Sequence, residues 1–164
     1  METRYNLLLA FILCAAVTLQ AELPTKKVLT LGMAKKKLVA AAEVEAKKRG
    51  ATVVIAVVDD GGQLILLERL DDTQVASVEV AIGKARTAAI FRRPSKVFED
   101  QVKNGRVAAL ALPGATPLQG GIPITVEGKV IGAIGASGNS PQEDEEIALA
   151  GAAVTASAVQ EEGR

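Results

Sequence analysis

The sequence contains no histidine and no tryptophan, and only one cysteine, one tyrosine and three phenylalanines. Without histidine, the Ser-His and Cys-His pairs that activate nucleophiles cannot form. Zinc would have to bind through carboxylates alone, which suits it poorly. The scarcity of aromatic rings also removes the stacking platforms that proteins use for single-stranded nucleic acid. Any general acid–base chemistry would therefore depend on Asp, Glu or Lys.

Charge is balanced, with 19 Lys plus Arg against 19 Asp plus Glu. No net positive field draws the protein to DNA or RNA, so no nucleic-acid partner is expected. A chain of 164 residues is long enough for one domain with a core of its own. The apolar residues are mostly Ala, Val, Leu and Ile, which suits helices lying closely on a sheet.

The first 21 residues have the layout of a secretory signal. Arg4 precedes the apolar run LLLAFILCAAVTL, and the small residue Ala21 follows it. This pattern predicts a signal peptide over residues 1–21, a single domain over residues 22–164, and a periplasmic or secreted location. An uncleaved amphiphilic N-terminus or signal anchor is the alternative. Cleavage would remove the only cysteine, Cys14, so the mature fold could hold no disulfide.

Hydrophobic periodicity and turn residues predict four helices and four strands. The predicted helices cover residues 31–49, 75–91, 95–104 and 141–160, and the predicted strands cover residues 52–58, 63–70, 122–126 and 129–136. We expect Thr30, Ser95 and Ser140 to cap helices. Residues 110–118 contain Pro113, Gly114 and Pro117 and are therefore expected to be irregular. The buried stripe of the first helix is predicted to be Leu31, Ala34, Leu38, Ala41 and Ala42, and its lysines are expected to face water.

Three polar residues of the second predicted helix are candidates for ligand binding. Ser77, Lys84 and Thr87 are expected on its polar side. Lys84 could meet a carboxylate ligand, or it could snorkel to solvent or pair with an acidic neighbour. Arg69, near the end of the second strand, could clamp a carboxylate, or it could form an ion pair with Asp59 or Asp71.

Glycines mark a second candidate region. Gly120-Gly121 could bring bare backbone N–H groups to a ligand, or could form a tight connection into the following hairpin. Pro123 lacks an N–H and therefore predicts a strand start or an edge strand. Gly132, Gly135 and Gly138 could admit a neighbouring helix, another subunit or a ligand. The acidic run at residues 143–146 could bind a hard cation or could complement a helix dipole.

Four segments carry a resemblance to a known family. They are IAVVDDGGQLILLERLDD (residues 55–72), SVEVAIGKARTAAIF (residues 77–91), QGGIPI (residues 119–124) and GKVIGAIGASGNSPQEDEEIA (residues 128–148). Together they resemble the haem-degrading, or GlcG/HbpS-like, family, which also occurs as the C-terminal module of some corrinoid adenosyltransferases. The resemblance covers nearly the whole predicted domain in the expected order.

The resemblance implies an α+β fold of profilin-like type, in which an antiparallel sheet is flanked by helices. It also implies homo-oligomers, haem or another tetrapyrrole as ligand and, for some members, a membrane sensor as partner. Because histidine is absent, iron would have to bind through Met33, Lys84 or Thr87. Haem could also be held by apolar contacts, with Arg or Lys pairing its propionates.

These observations favour an exported, oligomeric small-ligand-binding protein whose leading ligand is haem or a related tetrapyrrole. The expected site comprises Arg69, Ser77, Lys84, Thr87 and the Gly120-Gly121 turn. One alternative is an enzyme acting on a small carboxylate or tetrapyrrole, with Lys84 or Asp59 as acid or base. Another is a non-catalytic accessory or signalling protein that acts through oligomer surfaces. The residue inventory itself gives no support to catalysis.

Overall fold

The computed structural model describes residues 25–161, with side chains to residue 154. The predicted signal peptide, residues 1–21, lies outside the described residues. Helix α1 consists of an α-helical turn, a π-helical segment and a longer α-helix, at Leu31–Met33, Ala34–Val39 and Ala40–Arg49. The other helices are α2 (Ser77–Ile90), α3 (Lys96–Lys103) and α4 (Pro141–Glu161). The strands are β1 (Val54–Asp59), β2 (Leu64–Arg69), β3 (Gly121–Val126) and β4 (Lys129–Ser137).

The strands form one antiparallel sheet in the order β2-β1-β4-β3. The central strands β1 and β4 pair from Val54 opposite Ser137 to Asp59 opposite Gly132. Pro123 lies on the edge strand β3, as its missing N–H predicted. The predicted α+β class, an antiparallel sheet flanked by helices, is confirmed.

The two faces of the sheet are covered differently. Alternate residues of a strand point to opposite faces, so β1 contributes to both cores. Helices α1 and α4 cover one face, where the buried core includes Leu38, Ile55, Val57, Ile124, Ile134 and Ile147. Helix α2 covers the other face, where the core is built mainly from alanine and valine. These short side chains let α2 lie close to the sheet.

Helix α1 departs from a regular α-helix. Its buried residues are Ala34, Leu38, Val39, Ala42 and Ala46. Leu31 is 56% exposed, so its predicted burial was wrong. The π-helical segment has more residues per turn than an α-helix, and a stripe drawn with the α-helical period therefore loses phase across it. The predicted cap is confirmed, because Thr30 Oγ1 accepts a hydrogen bond from the Met33 N–H at 3.2 Å.

The segment before β3 is more regular than predicted. Val107–Ala111 forms a short 3-10 helix whose end, at residues 110–111, enters the stretch expected to be irregular. At the start of α4, Ser140 and Glu143 form the reciprocal hydrogen bonds of a capping box, which confirms the predicted cap. None of the helices in the described part of the chain has the length and apolar character that a bilayer crossing requires.

Candidate functional site

Helix α2 rests on two glycines that face each other across β3 and β4. Gly121 pairs with Gly135. A Cβ atom on Gly121 would lie 2.1 Å from the Lys84 carbonyl oxygen, and one on Gly135 would lie 2.4 Å from the Ala81 carbonyl oxygen. The helix backbone therefore touches the sheet backbone. Gly135 was expected to admit a neighbouring helix, another subunit or a ligand. In the structure it admits a neighbouring helix, α2.

Gly120-Gly121 is the tight connection into the β3–β4 hairpin. The Gly121 N–H donates to Ser95 Oγ at 2.8 Å, and the Gly120 carbonyl accepts from the Ala136 N–H at 3.0 Å. Gly120 has φ +122°, a conformation that favours glycine. The Gly121 donor is therefore used inside the protein, and this turn does not present it to a ligand.

A buried ion pair joins α2 to α4. Lys84 Nζ donates to Asp144 Oδ2 at 2.8 Å and to the Ala136 carbonyl at 3.0 Å. The two side chains are only 5% and 3% exposed. Asp144 Oδ1 also accepts from the Asn139 N–H at 3.1 Å. Burial raises the pKa of the Asp144 carboxyl, while the hydrogen bond from Lys84 opposes that rise.

The expected polar side of α2 is in fact buried. Ser77, Lys84 and Thr87 are all at most 4% exposed. Thr87 Oγ1 donates to the Gly83 carbonyl at 2.8 Å and accepts from the Thr116 N–H at 2.6 Å. Ser77 Oγ is buried with no hydrogen-bond partner among the described groups. These residues are buried because the sheet covers one side of α2 and the segment around Thr116 packs against Gly83 on another.

The side chains of Arg69 and Asp59 hydrogen-bond to the backbone of the turns next to them. Arg69 Nη2 donates to the Thr73 carbonyl at 2.7 Å, so the contact it makes is not the predicted ion pair with Asp59 or Asp71. Asp59 Oδ1 accepts from the Gly61 and Gln63 N–H groups at 2.9 and 2.8 Å, which closes the β1–β2 turn. To act as an acid or base, Asp59 would have to leave these turn contacts, and Lys84 would have to leave Asp144 and the Ala136 carbonyl.

Sequence reasoning missed the part played by Ser95. Its side chain is fully buried, and its Oγ donates to the Leu118 carbonyl at 2.6 Å while accepting from the Gly121 N–H. Its hydroxyl therefore joins the start of α3 to the connection before β3 and makes no cap bond to α3, contrary to the prediction. A serine after a proline is a reasonable cap signal, and the true partners lie more than twenty positions away in the sequence.

The acidic start of α4 is occupied by protein partners. Its four carboxylates contact, in order, Ser140, Lys84, Gln119 and Arg49. Within residues 25–161 no group of three or more His, Cys, Asp or Glu side chains could hold a metal ion. Glu143 and Asp144 lie in the first turn of α4, where negative charge complements the helix dipole. Met33, the other metal candidate, is half-buried in the first turn of α1.

An open cavity of about 840 Å³ lies at the opposite end of the sheet from the β4–α4 connection. It is lined by Thr25, Lys26, Lys27, Asp60, Arg92 and residues 125–131. Two ion pairs hold the N-terminal segment against two hairpin turns here. Lys26 pairs with Asp60 in the β1–β2 turn, and Lys27 pairs with Glu127 in the β3–β4 turn, each at 2.5 Å. Val126, Val130 and Ile131 supply an apolar wall. None of the predicted site residues lines this cavity.

The cavity lining carries more positive than negative charge. It contains four cationic side chains and two carboxylates. Lys26 and Lys27 use the two carboxylates. Arg92 and Lys129 form no side-chain hydrogen bond or ion pair with any described residue. This leaves two cationic groups free to meet an anion.

The fold and the cavity define a class of protein: a single-sheet α+β domain with an open, positively charged cavity at one end of the sheet. Residues 29–153 match a family model described as haem degrading protein HbpS-like. The match covers more than half of the chain, and the chain belongs to this family.

Relatives and solved structures agree with that membership. The chain is similar to protein GlcG of Escherichia coli K12, with 44% identity over 113 residues that cover 69% of this chain and 84% of GlcG. A double mutant of HbpS from Streptomyces reticuli superposes with a TM-score of 0.74 at 35% identity, covering 82% of this chain and 91% of that one. A PduOC:haem complex superposes with a TM-score of 0.70 at 26% identity, covering 78% and 95%.

Proposed function

We propose that this protein binds a tetrapyrrole, with haem as the leading ligand, in the cavity beside the β3–β4 turn. The observation that carries the proposal is the cavity itself, because it joins an apolar wall to unpaired positive charge. Support comes from the family, which is described as haem degrading, and from the similarity to the solved PduOC:haem complex.

The cavity lining fits a haem group in size and chemistry. A volume of about 840 Å³ falls within the usual range for small-molecule sites. Haem is a flat apolar macrocycle that carries two propionate carboxylates. Half-buried Val130 would contact the macrocycle, with smaller contributions from Val126 and Ile131, which are only 8% and 5% exposed, while cationic side chains would pair with the propionates.

The lining offers no usual strong ligand for the iron. It contains no His, Cys, Met or Tyr, and its neutral oxygen donors include the hydroxyls of Thr25 and Thr125. Bound haem would supply a redox-active iron. The role of this chain would be to hold the porphyrin through its carboxylates and its apolar surface.

Titration of the purified protein with haemin tests the proposal. We expect a saturable shift of the Soret band and a ferric spectrum of the high-spin type, since the neutral ligand atoms of the lining are the weak-field hydroxyl oxygens of Thr25 and Thr125 and its lysines are assigned to carboxylates. A bound ligand also stabilises the folded state by mass action, so haemin should raise the Tm. Absence of both a saturable spectral change and a Tm increase would refute haem binding.

We further propose that the chain is exported, forms homo-oligomers and works beside a membrane sensor. These proposals rest on the signal-like residues 1–21 and on the family resemblance. Native mass spectrometry of protein isolated from its own host is the direct test, because it measures the cleaved mass, the number of subunits and any retained ligand together. An intact N-terminus on a ligand-free monomer would contradict them.

The catalytic alternative receives no support from the two residues that were expected to carry it. Lys84 is held by Asp144 and the Ala136 carbonyl, and Asp59 is held by its own turn. A ligand-binding role is therefore the function that the described residues support best.

A further inference from the structure

Five cationic side chains of the described residues have no hydrogen-bond acceptor or ion-pair partner. Three of them, Lys35, Lys36 and Lys37, lie exposed on the π-helical segment of α1. The other two, Arg92 and Lys129, line the same cavity. These two come from different parts of the chain, one directly after α2 and the other at the start of β4. Their meeting at one cavity is a property of the fold.

We propose that Arg92 and Lys129 recognise the two carboxylates of a dianionic ligand, as the propionates of a porphyrin would provide. This inference rests on the proposed function and deepens it by naming the anchors. Hydrogen bonds between a cation and a carboxylate are about twice as strong as neutral ones, and an arginine can bind a carboxylate through two parallel bonds. The two anchors match the two carboxylates in number and in charge.

The other two cavity lysines are less suited to this task. Lys26 and Lys27 already pair with Asp60 and Glu127, so a ligand would have to compete with those carboxylates. The side chains of Arg92 and Lys129 form no hydrogen bond or ion pair with a described residue that a ligand would have to displace. Lys129 does add to the effect of Lys27 in lowering the pKa of the Glu127 carboxyl, so a ligand carboxylate at Lys129 would lie near that charge.

The backbone at Arg92 supports a specific role. Arg92 has φ +55°, a left-handed conformation that is uncommon for residues other than glycine and asparagine. Its own N–H donates to the Ala89 carbonyl at 3.2 Å, which closes the end of α2. A large arginine kept in a conformation that disfavours it suggests that the side chain is needed where the chain places it.

The test compares haemin binding by the full chain with binding by an Arg92→Asn/Lys129→Gln variant. Asparagine tolerates the left-handed backbone at position 92, so the change removes charge with little new strain. A Lys35→Gln/Lys36→Gln variant is the matched control, since it removes the same charge from a distant, exposed helix face. Haemin dimethyl ester, which has no free carboxylates, serves as the second probe.

We expect the cavity variant to bind haemin about 10- to 100-fold more weakly at low salt, because two charge-assisted hydrogen bonds are lost at a partly exposed site. The control variant should bind like the wild type. The ester should bind the wild type and the cavity variant alike, and Arg92→Lys should retain most of the affinity for haemin. Thermal unfolding of each variant verifies that it is folded.

The outcomes separate the two proposals. Equal haemin affinity of the wild type and the cavity variant would overturn the anchors and leave haem binding intact. An equal loss in the control variant would show a general charge effect and would also overturn the anchors. Failure of the wild type to bind haemin or metal-free protoporphyrin at all would overturn the proposed function, and this inference with it.

Discussion

A Lys84→Met variant is expected to lose about 3–5 kcal/mol of unfolding free energy at neutral pH. The substitution keeps the length of the side chain but leaves the Asp144 carboxylate buried without its cation. It also removes a hydrogen bond to the Ala136 carbonyl, which is the direct link from α2 to β4. Equilibrium denaturation with urea at constant protein concentration measures the loss.

The loss should depend on pH in a defined direction. Burial raises the pKa of the Asp144 carboxyl, and removing Lys84 takes away the interactions that oppose the rise. A group whose pKa is higher in the folded state binds its proton more tightly there, so its stabilising contribution is present below the unfolded pKa and lost as pH rises through the folded pKa. The destabilisation of Lys84→Met relative to wild type should therefore grow as pH rises above about 4, the pKa of an aspartate in the unfolded chain.

Two further variants isolate the ion pair. Lys84→Met/Asp144→Leu should recover a large part of the stability, because replacing both members of a buried pair with apolar groups is often neutral or stabilising. Lys48→Met is the exposed control, and loss of its contact to Glu45 should cost less than about 1 kcal/mol. A Lys84→Met variant no less stable than this control would contradict the structural role assigned to the pair.

Gly121→Ala is expected to destabilise the protein by about 3 kcal/mol, the upper end of the typical cost of overpacking, because the obstacle is backbone and the backbone must move. The added Cβ would lie 2.1 Å from the Lys84 carbonyl oxygen and 2.9 Å from Ser95 Oγ. The φ of Gly121 is not left-handed, so the cost is one of space alone. Gly135→Ala should act in the same direction, because its nearest obstacle is also the backbone of α2.

Gly32→Ala is the matched control for both. Position 32 lies in the first turn of α1, and the nearest atom to an added Cβ is 3.9 Å away. The higher helix propensity of alanine should leave the stability unchanged or raise it by up to about 1 kcal/mol. Chemical denaturation of the three variants tests the contact. Equal stability of Gly121→Ala and Gly32→Ala would show that α2 does not rest on the glycine pair.

The order and type of the main elements could be predicted from the sequence, because their signals are local. The alternating and continuous apolar runs give the strands, and the Thr30 and Ser140 caps give two helix starts. The π-helical segment could not be predicted, because no residue type or spacing in the sequence indicates where a helix changes from α to π. Leu31 was consequently placed on the wrong face.

The contacts of the candidate site were harder to predict, for a physical reason. Lys84 and Asp144 are 60 positions apart, so no local pattern indicates that each is buried against the other. Polar residues on a helix normally imply a solvated face, and here the face is polar because it carries internal hydrogen bonds. The cavity also draws its lining from the N-terminal segment, the end of α2 and the β3–β4 hairpin. Only the folded chain brings these together.

The strand order has a consequence for biosynthesis. Strand β1 is apolar on both faces, yet its inner neighbour β4 follows only after β2, helices α2 and α3, and β3 have been made. Until β4 emerges from the ribosome, one edge of β1 keeps its backbone groups unpaired, and such edges invite pairing with other chains. The nascent protein must therefore carry an aggregation-prone strand from the synthesis of Asp59, where β1 ends, until β4 begins at Lys129. Chaperones that bind apolar extended segments have their clearest target there.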